Sequence, residues 1–375
     1  MKLRSVTEAD VSGKRVLLRA GLNVPVAKGA VTDTFRIARA RRTLTYLRER
    51  GARIILISHL GRSGETLRPV FEELHTALGG EGIVFSEAAP GSELLVAVEN
   101  LRDGDILMLD NIRRFEGEER NDDVFARALA SAAELFVNDA FADSHRAHAS
   151  IVGVSRHLPS YAGLLLAEEV AVLEEARAPL SPSVAIVGGA KFETKEPLIG
   201  TLLERYEKLL LGGALANDFF KARGFEIGTS LSSPALVPEH LLTHEKLLLP
   251  VDVVAEREGV SRVASAHEVS PGERIADVGP RTVHDWLNAL TFVETVLWNG
   301  PLGIYEKGFC EGTDALAAGI VRSGARAIIG GGDTIAALSR HEFDPERIFL
   351  STGGGAMLEF LVHATLPGLE PLRAA

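Results

Sequence analysis

The chain has 375 residues, 46% hydrophobic and 24% charged, and a formal net charge of −11 at pH 7. That length exceeds the usual size of one core and predicts two domains, while the acidic balance argues against a nucleic-acid binder. The single cysteine, Cys310, excludes a disulfide framework and a cysteine-rich metal site.

Taken in order, short apolar runs alternate with longer amphipathic ones. Strands are predicted at 16–19, 53–57, 106–109 and 135–137 in the first half. In the second half they are predicted at 184–187, 208–211, 251–254, 295–297, 327–329 and 348–350. Helical patterns fall between them, at 35–48, 123–133, 195–205, 214–222, 283–289 and 333–340. This alternation implies βαβ units, and consecutive apolar positions imply strands covered on both faces of mostly parallel sheets.

The stretch AGLLLAEEVAVLEEARA reads as one helix, ended by APLSPS. The expected architecture is α/β, with two Rossmann-like three-layer domains joined by that helix. Residues 1–158 form the first domain, 159–180 the helix and linker, 181–360 the second domain and 361–375 a C-terminal segment. MKLRSVTEAD has no apolar leader, and no run of about 18 apolar residues follows, so a cytoplasmic protein without a membrane span is expected.

In open α/β sheets, ligands bind beyond the carboxyl ends of the strands. The first-half loops there carry Arg19 and Asn23, then His59 and Arg62 in SHLGR, then Arg113 in DNIRR, then His145, Arg146 and His148 in NDAFADSHRAHAS. Arg36 opens the helix after the first loop. A lone arginine is usually a solvated ion-pair partner. Several converging on one edge suit a small polyanion, because guanidinium binds phosphate and carboxylate in a bidentate manner. The spacing of His145 and His148 also suits a metal, but Arg146 between them repels a cation.

The second-half loops are glycine-rich: GGAKFETK (188–195), GGAL (212–215), WNGPLGIYE (298–306), GGGDT (330–334) and TGGG (352–355). Each glycine pair alone reads equally as a tight turn. Five on one strand edge point to helix N-termini that receive phosphates. There is no GxxxxGK[ST] motif and no GxGxxG after the first strand of this half. Asp333 reads either as an ordinary helix cap or as a carboxylate for Mg²⁺ on a nucleotide. A nucleotide domain and a polyanion domain together imply phosphoryl transfer. The first-half cluster offers no general base, which suits an acceptor that is already ionised.

In colinear order, NVP (23–25), RI (36–37), SHLGR (58–62), NDAF (138–141) and HRAHAS (145–150) resemble the phosphoglycerate kinase family. So do GGAK (188–191), LPVDVV (249–254), WNGP (298–301), GGGDT (330–334) and STGGGA (351–356). The resemblance implies Mg²⁺-dependent, reversible transfer from 1,3-bisphosphoglycerate to ADP, giving 3-phosphoglycerate and ATP. It implies two domains facing each other across a hinge cleft, a C-terminal segment packed back on the first domain, and a cytoplasmic monomer. It also implies small-molecule partners only.

By the same resemblance, Arg19, Asn23, His59, Arg62, Arg113, Arg146 and His148 bind phosphoglycerate. Arg36, Lys195, Gly354 and Gly355 act at the moving phosphoryl. Gly189, Lys191, Lys195, Gly212, Gly213, Asn299, Pro301, Gly303 and Glu306 hold the nucleotide, as do Gly332, Asp333, Thr334 and Gly353; Asp333 also meets the metal.

Four departures stand out. Gly21-Leu22-Asn23 replaces the family's Asp-Phe-Asn, removing a carboxylate expected to hold the substrate hydroxyl. Asp143 adds a negative charge near the anion site. Thr194 replaces an Asp, where it is expected to cap a helix whose first turn takes Pro197. Ala214 ends a glycine triplet. Two rival readings are a divergent paralogue that phosphorylates another small carboxylate and a catalytically weak nucleotide-binding protein.

Overall fold

The computed structural model describes residues 1–62 and 64–374. The chain forms two compact units, Met1–Ala171 with His363–Ala375, and Val172–Val362. Ala375, the end of the expected C-terminal segment, lies outside the described residues.

The first unit is built on a parallel sheet in the order Ile83–Ser86, Ile106–Leu109, Arg53–Ile57, Arg15–Ala20, Leu135–Asp139, Ser160–Ala162. Its strands are apolar on both faces, and Leu17 and Leu18 are both fully buried, in separate core clusters. Helix Phe35–Glu49 buries Ile37, Ala40, Leu44 and Leu47, the three- and four-residue spacing of one helical face. The sheet order reverses between Arg15–Ala20 and Leu135–Asp139, the kind of point where open α/β sheets bind ligands, and the segments 20–23 and 140–148 follow these two strands.

The C-terminal segment belongs to this unit. Gly368 N–H donates to Ser144 O, and Arg4 N–H donates to Leu372 O. Leu366, Leu369 and Leu372 are buried. Burying each is worth about 1.5–3 kcal/mol, which offsets part of the entropy of ordering the tail.

The second unit has a parallel sheet in the order Leu247–Leu248, Lys208–Leu211, Ser183–Val187, Thr295–Asn299, Arg326–Gly330, Ile348–Leu350. Here the order reverses between Ser183–Val187 and Thr295–Asn299, and the glycine loops flank that point. Trp298 is fully buried, its indole N–H donating to Gly300 O, so the loop is anchored from below.

Several sequence expectations change. The strand expected at 251–254 is Asp252–Arg257. It lies in a separate antiparallel sheet, between Val260–Ser265 and Arg274–Val278. The joining helix is Leu164–Arg177; residues 160–162 form the edge strand of the first sheet instead. The helix expected from 195 begins at Phe192. Thr194 therefore lies inside it and donates to Lys191 O, not at its cap, and Pro197 sits within the helix. Asp333 is likewise not a cap, because the helix Gly332–Leu338 starts before it. No described helix is long and apolar enough to cross a membrane.

Candidate functional site

The first unit gathers its basic side chains at the sheet reversal. Arg19 leaves the end of its strand 1% exposed. Its Nε donates to Ser150 Oγ at 3.1 Å and Nη1 to Ala20 O at 2.5 Å, while Nη2 meets His59 Nδ1 at 2.9 Å. Arg19 is thus held within the protein, beneath the cluster. Ser150 is itself held by buried Glu118, which accepts its N–H and its hydroxyl. Burial pushes Glu118 above its ordinary carboxylate range, against the pull of Arg19.

Nearer the surface, Arg36 Nη1 donates to Asn23 O at 2.8 Å. Asn23 Oδ1 accepts from Gly61 N–H at 3.1 Å, which fixes the two loops to each other. Arg113 Nη1 donates to Gly61 O at 2.6 Å, and its Nε faces Glu119 at 3.2 Å. Arg146 and Arg62 are exposed.

Burial first, then the charges of Arg19, Arg113 and Arg146, push His59 down to about 3, against the opposing pull of Asp143. Burial and Arg113 and Arg146 push His148 down to about 4. Both imidazoles are neutral at pH 7, so the positive charge of the cluster comes from guanidinium groups. His145 is half-buried, and its Nε2 accepts from Arg146 Nε at 3.3 Å. No metal-holding group of three or more His, Cys, Asp or Glu occurs among the described residues.

Asp143, expected to add a negative charge near the anion site, is 8% exposed and lies inside this cluster. Its Oδ2 lies 3.1 Å from Arg19 Nη2 and 3.5 Å from His59 Nδ1. Burial alone would raise its pKa. Arg19, His59, Arg36 and Arg113 outweigh burial and hold it below the usual range.

In the second unit, backbone contacts draw three loops together. Gly188 N–H donates to Asn299 O at 2.9 Å, Gly189 N–H to Pro301 O at 2.9 Å, and Gly213 N–H to Leu302 O at 3.1 Å. A Cβ on Gly188 would collide with the backbone of Gly300 and Pro301, so glycine is required there. Beside this junction opens a cavity of about 370 Å³, lined by Gly189, Gly213, Pro301, Gly303 and Glu306 among others. That volume falls in the range of small-ligand sites.

The remaining sequence candidates lie around it. Lys191 lines an adjoining cavity of about 160 Å³ and has φ 67°, a backbone region that non-glycine residues rarely enter. It precedes helix Phe192–Arg205, whose N-terminus has no side-chain cap. Lys195 is buried and donates to Gly188 O; burial pushes its pKa down to about 8.

Gly212 and Asn299 are packed into the loop bases. Thr334 is buried, and its Oγ1 accepts from Gly300 N–H at 3.1 Å, so it ties two loops together. Gly332 and Asp333 are exposed; loss of solvation and the nearby Glu306 charge raise Asp333 above its ordinary range. In the last loop Gly353 N–H donates to Ser351 Oγ at 3.0 Å, and a Cβ at Gly354 or Gly355 would meet open space.

Sequence reasoning missed one wall of the larger cavity. Asn217, Thr229, Ser230, Arg274 and Asp277 line it, supplied by the helix after Gly213 and by the antiparallel-sheet region. Asp277 accepts from Val278 and Gly312 N–H groups, and burial pushes it up to about 6. The "ND" step in LANDFF was the one available signal, a polar pair on an otherwise apolar helix.

The family model described as phosphoglycerate kinase matches residues 6–363. The chain belongs to the phosphoglycerate kinase family. It is 40% identical over 395 residues to the phosphoglycerate kinase of Roseiflexus sp. (strain RS-1), covering 100% of both chains. With that of Rubrobacter xylanophilus it is 42% identical over 388 residues, covering 99% of this chain and 98% of the other. The solved phosphoglycerate kinase from Coxiella burnetii superposes with a TM-score of 0.81 at 35% identity, covering 99% of this chain and 98% of that one. The one from Pyrococcus horikoshii superposes with a TM-score of 0.88 at 26% identity and the same coverage.

Proposed function

We propose that the protein catalyses the reversible transfer of a phosphoryl group from 1,3-bisphosphoglycerate to ADP, giving 3-phosphoglycerate and ATP. The observation that carries this is the arginine cluster around His59 at one sheet reversal, matched by a glycine-lined cavity at the other. What the cluster mainly offers is fixed positive charge from guanidinium groups. That suits an acceptor carboxylate, which needs neutralising and aligning but not deprotonating.

Arg113, Arg146 and His148 bind the phosphoglycerate, with Asn23, Arg62 and His59, over a foundation of buried Arg19. The nucleotide takes the cavity beside Gly189, Gly213, Pro301, Gly303 and Glu306. Gly212, Asn299, Gly332 and Thr334 shape its loops, while Lys191 and Lys195 lie toward its phosphates. Arg36 neutralises charge on the transferring phosphoryl, as do Lys195 and the open turn Gly353–Gly355. Asp333 suits Mg²⁺, being an exposed oxygen donor beside a second carboxylate, and the bound ion neutralises the nucleotide phosphates. The reading carries with it a cytoplasmic monomer acting on small molecules.

The test is ATP consumption with Mg²⁺, with and without 3-phosphoglycerate, trapping the acyl phosphate with hydroxylamine. Saturable, 3-phosphoglycerate-dependent acyl hydroxamate is the expected result. Nucleotide binding with no trapped product would favour another acceptor or a non-catalytic role.

A further inference from the structure

The arginine cluster contains one group of the wrong sign for an anion site. Asp143 is buried among Arg19, Arg36 and Arg113 and faces His59. A carboxylate there weakens anion binding, so its presence calls for something that guanidinium groups lack. They only donate hydrogen bonds, and a carboxylate only accepts. The other acceptor facing it is spoken for, because His59 Nδ1 takes the Arg19 Nη2 proton at 2.9 Å.

Asp143 Oδ2 is different. It sits 3.1 Å from Arg19 Nη2 but without hydrogen-bonding alignment, and it has no hydrogen-bond donor among the described residues. It is a buried acceptor awaiting a donor, and buried acceptors without one are rare in folded proteins.

We propose that Asp143 is the specificity-determining residue that accepts the hydroxyl proton of a phosphorylated 2-hydroxycarboxylate. The inference rests on the function proposed above. Such a ligand presents two anionic groups for the guanidinium groups and one O–H, which needs an acceptor.

The neighbouring backbone supports the placement. Asp143 N–H donates to Ala140 O. Ala140 is also the neighbour of Gly21, where a Cβ on Gly21 would stand 3.7 Å from Ala140 Cα, an ordinary contact. Position 21 therefore has room for a side chain that this sequence does not use, and the acceptor comes from the opposite loop.

The experiment measures the affinity of 3-phosphoglycerate and of the phosphate ester of 3-hydroxypropionate, which lacks only the hydroxyl. Calorimetry is used on the full chain, and turnover is followed in parallel. The wild type should prefer the hydroxylated ligand by about 10- to 100-fold, the worth of one hydrogen bond to a charged group. Asp143→Ala should bring that ratio close to one, Asp143→Asn should keep part of it through its amide oxygen, and Gly21→Asp with Asp143→Ala should restore it. If Asp143→Ala weakens both ligands equally, the residue only positions Arg19 and the inference is overturned. A wild type that binds both ligands alike overturns it without any variant having to fold, and leaves the kinase reading standing. A wild type that binds neither overturns that reading as well.

Discussion

Arg19 Nη2 lies 2.9 Å from His59 Nδ1, and the guanidinium has only protons to give. Nδ1 is therefore the acceptor, and the imidazole carries its proton on Nε2. A protonated His59 would place N–H against N–H, which adds to the burial that pushes it down to about 3.

This has a consequence for acid stability. With a folded pKa of about 3 against an ordinary 6.5, His59 binds fewer protons folded than unfolded across that window. Its contribution is full above 6.5 and is lost as pH falls toward 3. Asp139 works with the opposite sign: burial raises it from 3.8 to about 7, so it favours the folded state as pH falls through that range. The whole-chain curve mixes both, so the difference between wild type and His59→Gln isolates the histidine. In urea unfolding at pH 4 and pH 7, the wild type should lose more stability on acidification than the variant. Equal losses would mean that His59 titrates normally.

Lys195 gives a pH effect at the other end. Burial pushes its ammonium down to about 8, with its Nζ on Gly188 O. Above that pH the free protein carries a neutral amine where nucleotide phosphate needs charge. The dissociation constant for ADP should rise above pH 8, by up to about tenfold per pH unit. Lys195→Met should bind ADP weakly at every pH and flatten the curve. A wild-type curve already flat from pH 7 to 10 would remove Lys195 from phosphate binding.

Much of this was legible in the sequence, for a physical reason. Strands covered on both faces must be apolar on consecutive positions, so Arg53–Ile57 and Ser183–Val187 stood out, and the glycines and arginines fell at their ends. The antiparallel sheet was not legible beyond its first strand. Val260–Ser265 is exposed at its first four positions, so VSRVAS reads as a polar loop. The pairing of Asp143 with Arg19 was not legible, because the two are remote in sequence and only the folded sheet brings them within 3.1 Å. Thr194 was misread because the helix begins one turn earlier than its apolar pattern, at a residue with φ 67°.

Arg36 is expected to matter for rate more than for affinity. It is half-buried, tied by one nitrogen to Asn23 O, and it contributes to the field that keeps Asp143 ionised. Arg36→Ala should lower kcat by about 100- to 1000-fold, the usual cost of removing a group aimed at transition-state charge. KM for 3-phosphoglycerate should change far less. Steady-state kinetics in both directions would check this; a loss confined to KM would reassign Arg36 to ground-state binding.

Asp333 should control the metal requirement. Its carboxyl is raised by lost solvation and by Glu306, a repulsion that a bound cation would relieve. Asp333→Asn should raise the Mg²⁺ concentration for half-maximal turnover by at least about tenfold, while thermal stability stays close to wild type. Chelation should abolish turnover of both proteins. An unchanged Mg²⁺ requirement would place the metal elsewhere.

Gly188 offers a steric test of the nucleotide junction. A Cβ there would stand 2.6 Å from Gly300 O and 2.8 Å from Pro301 C. These are backbone atoms and cannot rotate aside, so Gly188→Ala must push two strand ends apart, at a cost of about 1–3 kcal/mol. The same movement breaks the bond from Gly188 N–H to Asn299 O and shifts the Lys195 acceptor. ADP binding should therefore weaken with stability, while 3-phosphoglycerate affinity in the first unit stays unchanged. Gly200→Ala is the control. It lies inside helix Phe192–Arg205, where an added Cβ meets nothing within 4 Å, so it should stabilise by about 0.5–1 kcal/mol and leave ADP binding intact. Calorimetry with each ligand, beside urea unfolding of the three proteins, separates these outcomes. Weakened 3-phosphoglycerate binding in Gly188→Ala would show that its damage spreads beyond the junction.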